Sequence, residues 1–305
     1  MSALHNSFAR ADVSVIALYM TTCGGVHDHA AEPARQVEKH RIDYPVLDVE
    51  ANGGTLADPT RKRFPWAPHA LVVDKTGQVI RTYGHIPEME SLREDLAELV
   101  ATGLVPAQPG DGWRDFPRRA WVDRRIEGRE PPRTERTTLR HFGANSVTVQ
   151  RGNQSVKFVR ATTDTEKHRV ELPSETVTVD GEDVKARVFE AKWKHGDIEF
   201  VERSWIARGT LLRRETIETP MNGPSSKRSL RLLKWSDTLI VGKDKIDCRV
   251  VETTTTWEGG RTQETVWLSD PVPGHEVQRI HRTTPAGQDG NASVETSSVI
   301  AFGLR

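Results

Sequence analysis

Two periodicities of apolar and polar positions divide the chain. Up to about residue 100, short apolar runs alternate with helical signals. Val13-Ser-Val-Ile-Ala-Leu-Tyr19 is an apolar, β-branched run of buried-strand length. Glu32-Pro33 opens a helix that runs to about His40, proline being tolerated in a first turn. Pro45-Val-Leu-Asp48 predicts a short strand. Ala70-Leu-Val-Val-Asp74 and Val79-Ile-Arg-Thr-Tyr83 flank Lys75-Thr-Gly-Gln78, whose glycine suits a tight hairpin turn. A final helix carries Leu92, Leu96, Leu99 and Val100 on one face, a capping box at Ser91 and Glu94, and Gly103 just past its end. Alternating elements of this kind predict a mixed sheet with helices packed on it.

Beyond residue 113 the period becomes two. Val147–Val149, Val156–Val159 and Thr176–Val179 are short alternating runs; Val184–Trp193, Ile198–Ile206, Lys245–Trp257 and Thr262–Leu268 are longer. Asp180-Gly181, Gly196-Asp197 and Gly259-Gly260 supply turn chemistry between them. With no long helical pattern intervening, the prediction is an antiparallel meander of about ten strands, as a curved sheet or open barrel. Leu104–Gly112 is dense in proline and glycine and reads as a linker. The predicted organisation is thus an α/β domain over 1–103, a linker over 104–112 and an all-β domain over 113–305.

Composition changes this picture only at its margins. The 305 residues suit two ordinary domains, and 43 basic residues balance 43 acidic ones, which argues against a nucleic-acid partner. No segment approaches the roughly 20 apolar residues of a membrane span. No export signal precedes the first strand, so a cytoplasmic location is expected for the chain as written, and export if its N-terminus is shortened. Cys23 and Cys248 are too far apart in sequence to suggest a disulfide framework or a zinc cluster.

From Ser14 to Leu99 the chain resembles the redoxins, thioredoxin-like proteins of the alkyl hydroperoxide reductase, thiol-specific antioxidant and TlpA type. The first strand, the helix before His40-Arg-Ile-Asp-Tyr-Pro-Val-Leu-Asp48, and Trp66-Ala-Pro-His-Ala-Leu-Val-Val-Asp-Lys-Thr-Gly-Gln-Val-Ile80 carry the likeness. The resemblance implies a thioredoxin-like fold, thiol–disulfide or peroxide reduction, and a thiol reductant or disulfide-bearing protein as partner. No cofactor is implied. Pro68 matches the family's cis-proline, and His69 beside it would line the same substrate groove. The family's central strand and its reactive cysteine motif have no counterpart here. An enzyme of this type, a thiol-dependent antioxidant, would need a relocated nucleophile, because the thiolate is the reactive species. Cys23, in Thr-Thr-Cys-Gly-Gly after the first strand, is the catalytic candidate, beside the plainer and favoured reading of an ordinary loop cysteine. His27, His29, His40, His69 and His85 show no spacing that defines a metal site.

The β domain carries no nucleophile elbow, metal triplet or phosphate loop. Arg203, Arg208, Arg213, Arg214, Lys227, Arg228 and Arg231 form a basic run with acidic residues interleaved, which reads as a solvated strand face. Cys248 reads as a small buried hydrophobe. The alternative to a redoxin enzyme is a non-catalytic scaffold whose β domain binds a small apolar ligand or a protein partner.

Overall fold

The computed structural model describes residues 17–19, 46–48, 70–73, 79–83, 89–104, 110–114, 116–128, 130–142, 146–159, 168–287 and 292–304. In the N-terminal third, β1 (Ala17–Tyr19) pairs in parallel with β2 (Val46–Asp48), and β3 (Ala70–Val73) pairs antiparallel with β4 (Val79–Tyr83). These are two separate two-stranded sheets. The expectation of an α/β thioredoxin-like domain is therefore corrected, and the redoxin, antioxidant and oxidoreductase readings conflict with the fold. Among the described residues no strand joins the two pairs, and isolated pairs do not make a sheet.

Helix α1 (Met89–Thr102) ends as its sequence dictates. Gly103 takes φ 77° and donates its N–H to the Leu99 carbonyl at 2.7 Å, an αL cap. Its start differs from expectation: the helix begins at Met89, so Ser91 lies in its first turn rather than at the cap; the side chains of Ser91 and Glu94 lie outside the described ones. A Glu98–Arg169 ion pair of 2.7 Å ties the helix to the β domain.

Alternation dominates the rest. After α2 (Asp111–Arg114) come β5 (Trp121–Glu127), β6 (Arg133–Phe142), β7 (Ser146–Arg151), β8 (Gln154–Val159), β9 (His168–Val179), β10 (Glu182–His195), β11 (Ile198–Ala207), β12 (Thr210–Pro220), β13 (Ser226–Val241), β14 (Asp244–Trp257), β15 (Gly260–Leu268), β16 (Glu276–Pro285) and β17 (Ser293–Gly303). They form one antiparallel 13-stranded sheet in the order β8-β7-β6-β5-β17-β16-β15-β14-β13-β12-β11-β10-β9. The β-rich expectation holds, with more strands than the sequence disclosed. β10 shows the cause: Val184, Ala186 and Val188 are buried while Lys185 and Arg187 between them are exposed. The turn before it places Asp180 at φ 54° and Gly181 at φ 79°, the paired positive angles that match strand twist.

β8 and β9 are consecutive in the chain yet form opposite edges of the sheet. The stretch from Val159 to His168 spans at most about 30 Å. Twelve flat strand spacings would hold the edges about 58 Å apart. The sheet must curl, and one backbone hydrogen bond shows where. Asp180, in the β9–β10 turn, donates its N–H to the Leu233 carbonyl of β13 at 3.1 Å, although three strands separate β9 from β13. β9 to β13 thus roll around a core of Val179, Val184, Ala186, Val188, Trp205, Leu212 and Leu232.

A second core joins β5–β8 and β17 to the far end of the β13–β14 hairpin, through Val122, Leu139, Val147, Val149, Val241, Ile246, Cys248 and Val299. α2 inserts Trp113 into it, and the β15–β16 loop adds Val272, which has no exposed surface. Here two glycines are required. Gly274 donates its N–H to the Gly112 carbonyl at 2.9 Å; a Cβ on Gly112 would lie 2.8 Å from the Gly274 backbone. Gly274 itself has φ 83° against the Trp113 ring.

Candidate functional site

The roll of β9–β13 is apolar at one end and charged at the other, and the change occurs within one strand row. Residues facing each other across strands share a face. The row Leu172–Val188–Trp205 belongs to the core, but its continuation on β12 and β13 is Arg213 and then Arg231. The next row runs Glu190, Arg203, Glu215 and Ser229. The one beyond it runs Lys192, Val201, Ile217 and Lys227.

These charges form a lattice. Glu190 pairs with Arg203 and with Lys192, both at 3.0 Å. Glu215 accepts from Arg213 Nε at 3.2 Å and lies 3.0 Å from Lys227 Nζ. The Arg213 guanidinium also stacks 4.5 Å over the Trp205 ring, and Trp205 Nε1 donates to Glu175 of β9 at 2.7 Å. Hydrogen bonds from Arg203 and Lys192 hold the Glu190 carboxyl below its ordinary pKa. Burial pushes Glu215 upward, but hydrogen bonds from Arg213 and Lys227 outweigh it and leave its pKa lowered.

Between β9 and the β12–β13 pair the lattice opens into a cleft of about 360 Å³. Its rim carries Thr176, Arg213, Glu215, Lys227, Ser229 and Arg231, over Leu212 and Leu232. The basic run expected to be a solvated face therefore lines, in part, the mouth of a roll. Arg213 with Glu215, and Lys227 with Ser229 and Arg231, sit at the spacing of two that puts neighbours on one strand face; that was the available signal. What the sequence lacked was the fold of β9 over them.

A second constellation escaped the sequence reading entirely. On β15 and β16, His281 Nδ1 lies 3.0 Å from Glu264 Oε1 and its Nε2 lies 3.0 Å from Thr283 Oγ1. The order hydroxyl, imidazole, carboxylate is that of a nucleophilic relay. It lies on a partly exposed strand face, outside the cleft between β9 and β12–β13. Arg279, beside it, pairs with Glu276 and Glu264. Glu264 is shared with Arg279 as well, and the group reads as a cross-strand polar ladder.

Of the residues predicted from sequence, Cys23, Pro68 and His69 lie outside the described residues, as do His27, His29, His40 and His85. Cys248 is buried at 2% exposure, and burial, with Asp237 and Asp247 nearby, pushes its thiol up to about 11. A thiol so raised is unreactive at neutral pH. Among the described residues no helix is long and apolar enough to cross a membrane. No protein-family model matches the chain, and no curated protein is similar to it.

Proposed function

We propose that this is a non-catalytic binding protein whose β domain takes a small ligand in the cleft between β9 and β12–β13. One observation carries the reading: fixed charges, with the Thr176 and Ser229 hydroxyls, converge on one opening above the packed core of the roll. Small-ligand sites place a few convergent polar groups around a concave opening. The carboxylates of the lattice favour recognition over proton transfer. Both are held below the ordinary range, and their partners are guanidinium or ammonium groups, so none is poised near neutrality as a general acid or base should be. The alternative of a buried apolar ligand is weaker, because the apolar interior on either side of the β13–β14 hairpin is filled by core residues.

The test is amide chemical-shift mapping of the full chain with hexanoate, hexylammonium and hexan-1-ol. At least one should shift Thr176, Arg213, Ser229 and Leu232 in a saturable way. Shifts confined to other surfaces, or none with any of the three, contradict the proposal.

A further inference from the structure

Arg213 and Arg231 face each other directly across β12 and β13. Like charges so placed repel. Arg213 is compensated by Glu215 below it and the Trp205 face behind it. Arg231 is not. The carboxylate opposite it on β14 is Glu252, which instead accepts a hydrogen bond from Gln263 at 2.6 Å. Among the described residues no ion pair or hydrogen bond is made by the Arg231 side chain. Lys227, four residues back along the same strand, shares the single carboxylate of Glu215 with Arg213. Three cations and one carboxylate therefore rim the cleft, with Ser229 between Lys227 and Arg231 on the strand and Thr176 across the gap. Val177 is the partly exposed aliphatic side chain of the lining, while Leu212 and Leu232 are closed into the core.

We propose that the cleft takes a small organic anion, its charged head between Arg231 and Lys227 and its short apolar body against Val177. This rests on the binding reading above and names the ligand class of the same site. A guanidinium suits a carboxylate or phosphate head by bidentate geometry. Val177, partly exposed in the lining, favours an organic body over an inorganic ion. Arg231, uncompensated and facing Arg213, costs the empty fold stability that an entering anion returns, the pattern expected of a site kept for binding.

The experiment titrates the full chain with hexanoate, hexan-1-ol and inorganic phosphate, following the cleft amides. Hexanoate should bind at one site at least about tenfold more tightly than either of the others, and more weakly as salt rises. Arg231→Gln, at an exposed position, should weaken hexanoate about tenfold with the fold unchanged by near-ultraviolet circular dichroism. Arg231→Glu should abolish binding while raising the unfolding temperature, because the new carboxylate would face Arg213. Hexan-1-ol binding as tightly as hexanoate, or Arg231→Gln binding like the wild type, overturns the anion inference and leaves the binding reading standing. Phosphate binding as tightly as hexanoate overturns the apolar half. No response in the cleft to any of the three overturns both.

Discussion

Glu190 and Glu215 show how single residues set the chemistry of the cleft. Each is hydrogen-bonded by two cations and each has a lowered pKa in the folded chain. The unfolded chain therefore binds their protons more tightly. Stability from these pairs is complete above the ordinary glutamate value of 4.5 and is lost as pH falls through the lower folded values. Between about pH 5 and pH 3 the wild type should lose stability more steeply than Glu190→Gln or Glu215→Gln, measured by urea unfolding at each pH. Equal slopes would mean that the pairs do not persist in solution. Trp205 adds the mechanical link. At 3% exposure it is a core residue, yet its ring carries Arg213 and its indole N–H reaches Glu175. Trp113 serves as packing in the second core as Trp205 does in the first.

At the scale of elements, the β13–β14 hairpin couples the two halves of the sheet. Register shifts at Leu232/Lys234 and Lys234/Asp237 put extra residues into β13. Such bulges bend a strand and raise its twist. Leu232 thereby serves the roll while Leu239 and Val241, on the same strand, serve the second core. Deleting Ser236 should turn Leu239 and Val241 to the wrong face and destabilise the domain by about 3 kcal/mol or more, read by denaturant unfolding. A loss under about 1 kcal/mol would show that the bulge is not what sets register there. These bulges also explain what the sequence concealed. β10 alternates from Val184 to Val188 and was legible, as were the β-branched and aromatic runs of β11 and β15 and the turns at Asp180-Gly181 and Gly196-Asp197. β13 was not, because Ser226-Lys-Arg-Ser-Leu-Arg-Leu-Leu-Lys-Trp235 breaks its alternation where the extra residues enter. The edge strand β9 is blunted by Pro173 and by a bulge between Leu172 and Glu175, devices that discourage pairing with another chain.

For the molecule as a whole, the N-terminal reading failed and the β reading held for a common reason. Local patterns identify strands, but only pairing makes a fold. The runs around Ala17–Tyr19, Val46–Asp48 and Ala70–Val73 do form strands, but among the described residues they stand in two separate pairs. In the β domain every strand finds its sequence neighbour except across β8 and β9, and that single exception forces the sheet to roll. The cleft is a product of the roll, which is why Arg213, Lys227 and Arg231 were visible as a basic run and invisible as a site. The most direct measurement is methyl–methyl NOE spectroscopy on the full chain, between Val179 of β9 and Leu232 of β13. In a flat sheet four strand spacings would hold them roughly 19 Å apart. The rolled sheet packs both into one core, so a cross-peak between them is expected. Its absence, with both methyls assigned and the sheet otherwise intact, would contradict the roll and remove the cleft with it.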